Sequence, residues 1–286
     1  MRRSNTWLPL LVLFVGCLVL TAQARTPINV AYQLLDLGLL EPTSDGEGDA
    51  LPLPQVTPGQ PTPTGTETSD RNSQGDIVGW VYGDAQRGIW QRATKWAAGR
   101  AYTLGPDSGS SAAFAINDLG DVIGWAEFQG PSFRTPERAA LWPAGTGTLV
   151  DLGTLPTAAA RSVARDINNA RQIVGTAYGD DGTRRGFRWE QGAMTELQPL
   201  EGDTDSEAFA INERGDILGT SYQHRCGPCL PRAVVWVGGT ATDLNAGVAA
   251  NSGWHLMEAT AFDDGGNIVG RGKVAGQPRY FLLTGR

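Results

Sequence analysis

Residues 113–125 read AFAINDLGDVIGW, and the chain writes something close to this stretch five times. Phe114 and Ile116 precede the polar run Asn117-Asp118-Leu119-Gly120, and Val122 and Ile123 follow it. Asn favours a turn start because its side chain bonds backbone groups just ahead of it. Gly120 accepts a positive φ without a Cβ clash. The β-branched and aromatic flanks suit a pleated surface, so the unit is a β-hairpin. Gly124, inside the second strand, leaves room for another backbone to come close.

The same hairpin recurs as RNSQGDIVGW (71–80), INDLGDVIGW (116–125), INNARQIVGT (167–176), INERGDILGT (211–220) and FDDGGNIVGR (262–271). The third copy has Arg171 in place of the turn glycine. A second motif follows each: RATKW (92–96), RAALW (138–142), RGFRW (185–189), RAVVW (232–236) and RYFLL (279–283). Its arginines are spaced 46, 47, 47 and 47 residues apart. A third motif closes four copies: YTLG (102–105), VDLGTL (150–155), TELQPL (195–200) and TDLN (242–245).

Each unit therefore reads strand a, polar turn, strand b, variable loop, strand c, glycine-containing turn, strand d. Four antiparallel strands at a period near 47 residues predict a propeller blade. The fold class expected is all-β, a five-bladed β-propeller over residues 25–286 with four antiparallel strands per blade. The fifth unit stops at Arg286 without a d strand, and AYQLLDLG (31–38) matches the missing one. The N-terminal strand is thus expected to complete the last blade and close the ring, removing open sheet edges.

Outside the repeats, residues 1–24 carry two arginines, an apolar run and Ala22-Gln23-Ala24, the layout of a signal peptide cleaved after Ala24. Cys17 lies within the apolar run rather than at its end, which disfavours lipid attachment. No second apolar span follows, so no transmembrane domain is expected after cleavage. The full chain has 23 basic and 30 acidic residues, net −7. Loss of Arg2 and Arg3 takes the mature chain to −9, a poor match for nucleic acid. From Glu41 to about Asp70 the composition turns to Pro, Thr, Gly and acid, which predicts a long surface loop. Within it, Asp45-Gly46-Glu47-Gly48-Asp49 has a calcium-like rhythm but lacks the downstream glutamate of an EF-hand loop.

The repeats resemble the bacterial extracellular repeats named HAF. That repeat runs HAF-x-W, a glycine turn, DLGTLGG, then S-x-A-x-x-IN-x-x-G-x-VVG. The resemblance covers essentially all of residues 28–286. This chain departs from it with Arg at all five c strands where the family has His, and with Pro156 where GG would follow DLGTL. The resemblance implies a secreted, β-propeller-like repeat protein and brings no activity with it.

Several residues could carry chemistry. Arg92, Arg138, Arg185, Arg232 and Arg279 would form a ring of guanidiniums able to bind an anionic ligand. The structural alternative pairs them with strand-d acids Asp36, Asp151, Glu196 and Asp243, Thr103 being the exception. Trp96, Trp142, Trp189 and Trp236 lie four residues after four of these arginines, on the same strand face, and are expected in the core. Trp80, Trp90, Trp125 and Trp254 fall outside that register and are the better candidates for exposed contacts.

Cys226-Gly227-Pro228-Cys229 spells a thioredoxin-like tetrapeptide but sits in a b–c loop with no βαβ pattern, so a local disulfide is expected. His224 nearby does not complete a zinc set. No catalytic motif and no cofactor or metal site emerges. Carboxylates on or beside strand a, Asp166, Glu207 and Glu258, keep a carbohydrate-active hydrolase open as an alternative. A structural envelope or matrix protein is a third reading. The function expected is an extracytoplasmic bacterial binding module, monomeric, with an unknown protein or carbohydrate ligand. Recognition would lie in the loops at 82–91, 126–137, 178–184, 221–231 and 272–278, which differ in every blade.

Overall fold

The computed structural model describes residues 32–38, 63–85, 88–105, 109–128, 136–156, 161–227, 229–263 and 265–285. The leader expected over 1–24 and the calcium-like run at 45–49 lie outside the described residues. Among the described residues no helix is long and apolar enough to cross a membrane.

Strand β1 (Tyr32–Gly38) comes first in the chain and belongs to the last sheet. The first sheet holds β2 (Gly65–Arg71), β3 (Ile77–Ala85), β4 (Gly88–Ala97) and β5 (Arg100–Thr103). The second holds β6 (Ser111–Ile116), β7 (Val122–Glu127), β8 (Glu137–Trp142) and β9 (Val150–Gly153). The third holds β10 (Arg161–Ile167), β11 (Ile173–Tyr178), β12 (Arg184–Glu190) and β13 (Ala193–Leu197). The fourth holds β14 (Asp205–Ile211), β15 (Ile217–Tyr222), β16 (Arg232–Val237) and β17 (Thr240–Asp243). The fifth holds β18 (Trp254–Phe262), β19 (Ile268–Val274) and β20 (Gln277–Gly285), with β1 added antiparallel to β20. All five are open four-stranded antiparallel sheets. The architecture is a five-bladed β-propeller whose N-terminal strand completes the last blade.

One expectation is corrected at the start of blade one. The stretch GTETSDR is strand β2, although its composition places it in the loop expected through Asp70. Its outward residues are uncovered, so it carries no apolar alternation, and its β-branched threonines suffice for the pleat.

Strand a of each of blades two to five packs on strands a, b and c of the blade before it. So β6 meets β2, β3 and β4, β10 meets β6 to β8, β14 meets β10 to β12, and β18 meets β14 to β16. Successive a strands also meet one another, which places them around the axis. Where blades converge there is room only for small side chains, and Ala113, Ala115, Ala164, Ala208, Ala210 and Ala259 are all buried. Four separate apolar clusters fill the four interfaces, centred on residues such as Val78 and Trp142, Ile123 and Phe187, Leu218 and Phe281, and Val174 and Trp236.

Polar staples accompany the packing. A serine in each middle a strand accepts the backbone N–H of the preceding c strand: Ser111 from Ala93 (3.1 Å), Ser162 from Ala139 (2.9 Å) and Ser206 from Gly186 (3.0 Å). The turn asparagines form a second chain around the axis. Asn72 Nδ2 donates to the Asn117 carbonyl, Asn117 to Asn168 and Asn168 to Asn212, at 3.3, 3.1 and 3.0 Å. Meanwhile Asn117 Oδ1 accepts the N–H groups of Leu119 and Asp121 inside its own turn.

The fifth interface differs. Beyond isolated contacts, β2 does not pack on β18, β19 or β20 among the described residues. The expected pairing of β1 with β20 is made, but it completes a blade without drawing blades five and one into the interface seen at the other four positions. Sheet completion needs only backbone pairing, whereas ring closure needs two complementary apolar faces, and β2 offers Glu67, Thr68 and Ser69 exposed.

Candidate functional site

The sequence-selected arginines all lie on c strands, and four of them meet the strand-d acid. Arg138 pairs with Asp151 at 2.9 Å, Arg185 with Glu196 at 3.3 Å, Arg232 with Asp243 at 3.4 Å and Arg279 with Asp36 at 3.5 Å. Arg232 also binds Asp203 (2.8 Å) and the Glu201 carbonyl (3.0 Å), and Arg185 donates to the Thr204 carbonyl. Arg92 is engaged as well. These pairs are part-exposed, where each contributes at most about 1 kcal/mol, so their repeated role is strand registration.

The strand-a carboxylates are also committed. Glu207 accepts from Arg184 at 2.8 Å and from the Tyr222 hydroxyl at 3.2 Å. Burial, then the neighbouring Glu207 charge, raises the Tyr222 phenol above its ordinary value. Glu258 is held by Arg271. Asp166 accepts Ile167 N–H at 2.8 Å and Ile211 N–H of the next blade at 2.7 Å. Its carboxyl titrates at about 6, pushed up by burial against those two hydrogen bonds, with Asp70 and Glu213 adding repulsion. Asp70 makes the same link one interface earlier, to Ile116 N–H at 2.9 Å. Asp166, Glu207 and Glu258 are thus brought to the axis-side strands but not to one another as an acid and base pair.

On the loop face of blades three and four, Cys226 and Cys229 form a disulfide. Beside it His224 Nδ1 lies 3.5 Å from Asp205, a fully buried carboxylate that also accepts Arg184 N–H at 2.6 Å. Arg225 ties the disulfide loop to the neighbouring b–c loop through the Asp181 carbonyl at 2.8 Å. His255 of blade five reaches the Pro231 carbonyl at 2.8 Å. The loops at 178–184 and 221–231 are therefore one connected surface rather than independent excursions.

Sequence reasoning divided the tryptophans by register, and the structure redraws that division. Trp96, Trp142 and Trp236 are buried and Trp189 packs on a core cluster, as expected. Trp254 packs edge-on against Phe281 at 6.3 Å, and Trp90 is half-buried with its indole N–H enclosed. Both candidates for exposed contacts are thus partly covered, Trp254 by the Phe281 ring and Trp90 around its indole N–H. Trp80 and Trp125 belong instead to a small cluster on the axis-side strands of blades one to three, with Phe114 and Tyr178. Trp80 meets Phe114 edge-to-face at 5.8 Å, and Arg165 lies over the same ring at 5.2 Å. Arg161 and Arg184 approach the Tyr178 ring at 5.2 and 5.8 Å.

Phe114 and Arg165 were missed as functional residues because both sit at a β-bulge. The register of strand a slips at the same place in every blade, between Thr68 and Asp70, Ala113 and Ala115, Ala164 and Asp166, Ala208 and Ala210, and Ala259 and Ala261. The extra residues are Ser69, Phe114, Arg165, Phe209 and Thr260, and a bulge re-aims such a side chain out of the alternating pattern. Their varied chemistry at one repeated position was the signal available.

No family model matches this chain, and no curated protein matches it by sequence. Among solved structures it is similar to TolB from Acinetobacter baumannii, at 12% identity and a TM-score of 0.43. The match covers 77% of this chain and 54% of TolB, so the chain spans about half the length of that protein.

Proposed function

We propose that this is an exported repeat propeller of the HAF type that works as a binding module for a protein or carbohydrate ligand, held on the face that carries the b–c loops. The observation that carries this reading is how completely the repeated residues are used by the scaffold. Turn asparagines, strand-a serines and c-strand arginines each have a partner in the fold. What differs between blades is left to the loops and the bulge residues, and binding residues commonly sit on loops held by a rigid scaffold. Export is supported by the leader-like residues 1–24 and by the Cys226–Cys229 disulfide, a bond that persists in oxidising compartments. The hydrolase alternative is weakened by the commitment of Asp166, Glu207 and Glu258 to structural partners.

A thermal-shift panel of proteins and oligosaccharides tests the reading. A ligand at a hundredfold excess over its Kd raises apparent stability by about 2.7 kcal/mol. Replacing the loop interiors, residues 179–183 and 223–230, by Gly/Ser loops of equal length should abolish that shift and leave the ligand-free melt within a few degrees. A shift that survives both replacements overturns the assignment to this face.

A further inference from the structure

The cluster on the axis-side strands of blades one to three has an unusual balance of satisfied and unsatisfied groups. Trp80 is half-buried and Trp125 is 8% exposed, yet among the described residues neither indole N–H has a partner and neither is sealed from solvent. The Trp236 N–H, by contrast, bonds the Gln198 carbonyl at 2.8 Å. Arg165 is exposed and has no acid partner among the described residues; it rests on the Phe114 ring alone. Its sequence neighbour Asp166 directs both carboxylate oxygens to backbone N–H groups, so it does not neutralise Arg165. Tyr178 adds a hydroxyl without a partner among the described residues at the same cluster.

We infer that Trp80, Phe114, Trp125, Tyr178 and Arg165 form a binding site for a carboxylate-bearing oligosaccharide. This rests on the reading of the protein as a binding module and moves the ligand from the loop tips to the axis. The chemistry matches point by point. A sugar presents apolar C–H faces that pack on aromatic rings, and hydroxyls that take up indole N–H and phenol groups. A guanidinium free of ion pairs presents a planar fork of donors that matches a carboxylate in two parallel hydrogen bonds. Phe114 touches both Trp80 and Arg165, so platform and guanidinium fall within the span of one disaccharide. A polyanion such as nucleic acid fits less well. One unpaired arginine serves one carboxylate, while Asp70, Asp166, Glu207 and Glu258 on the neighbouring axis-side strands repel a continuous run of charge.

Isothermal titration of the purified protein with two oligosaccharides that carry a single uronate each, glucuronosyl-xylotriose and cellobiouronate, each alongside its methyl ester, tests this. The ester keeps the rings and removes the charge. At least one acid should bind roughly tenfold more tightly than its ester, the worth of a charge-assisted hydrogen-bond pair. Arg165→Ala should erase that difference, and Arg165→Lys should restore part of it. Trp80→Ala should weaken acid and ester alike, with Trp80→Phe recovering most of the loss; melting curves confirm that each variant is folded. Equal affinity for acid and ester, no heat with any of the four, or affinity indifferent to both Ala variants overturns the site. Loss of a ligand's thermal shift on loop replacement, with no saccharide bound, would overturn the site alone and leave the loop-face reading intact.

Discussion

Arg171 shows how one residue can break a repeat and repair it elsewhere. Its backbone is left-handed, φ 58°, where the other copies place glycine, as at Gly120 with φ 83°. A side chain there costs about 1 kcal/mol. In return the guanidinium grips Asp121 of the preceding blade through two bonds of 2.8 and 2.7 Å. Burial alone would raise the Asp121 carboxyl; Arg171, the Ala144 N–H and the Asn117 amide together hold it below its ordinary value. Asp166 is the opposite case. Its folded-state value near 6 lies above the usual 3.8, so its contribution to stability is complete below about pH 4 and is lost as pH rises through 6. Asp70 shifts the same way, while the lowered Asp118, Asp121, Asp181 and Asp263 act only in more acid solution. Urea unfolding of the native protein should therefore show stability falling between about pH 4 and 6. Asp166→Asn should flatten that slope by on the order of 1–3 kcal/mol, and an unchanged slope would place the titration on another group.

The repeated element is a bulged hairpin, and its two irregularities depend on each other. Opposite each strand-a bulge the b strand carries glycine: Gly79, Gly124, Gly175, Gly219 and Gly270. A Cβ at any of these would overlap a backbone carbonyl of strand a, that of Ala112 in the case of Gly124. A carbonyl cannot rotate away as a side-chain tip can, so the extra residue in one strand requires the missing side chain in the other. Gly124→Ala should cost at least about 2 kcal/mol, since the strand pair must part to admit the methyl. Gly99→Ala is the contrasting control: its added methyl meets nothing, and the cost is only that of a positive φ. Chemical denaturation of the two variants separates steric overlap from backbone strain.

At the scale of the molecule, the N-terminal strand β1 is a structural component of the C-terminal blade. Tyr32 and Leu34 pack on the cluster that buries Phe281 and Leu283. Deleting residues 1–38 would uncover that cluster and leave β20 as an unpaired edge. A loss of about 3 kcal/mol or more is expected, together with aggregation through the bare edge. A peptide spanning residues 30–39, supplied in trans, should restore the melting temperature, because edge pairing is carried by main-chain hydrogen bonds. If the truncated chain melts like the whole, β1 is an accessory. Among the described residues β2 lacks the interface with the last blade that the other a strands make with the blade before them, so hydrogen exchange should be fastest in blades one and five.

The period near 47 residues, the Asn-to-Gly turns and the displaced d strand were enough to read five blades, their strand order and the completing role of β1. These are local and repetitive signals, and backbone pairing enforces them wherever they occur. The c-strand arginines and their acid partners were legible for the same reason, since adjacent strands place them face to face. The bulges were not legible, because an extra residue in an alternating strand looks like any other until its partner strand is set beside it. Nor was the state of Asp166, whose carboxyl is raised by burial and accepts a backbone N–H from the next blade, 45 residues away in the chain. The assembly of Trp80, Phe114, Trp125, Tyr178 and Arg165 from three blades likewise appears only when the a and b strands of successive blades pack together. Pairing between neighbours in sequence was written in the chain, whereas the side chains that meet across blades were chosen by the packing of one sheet on the next.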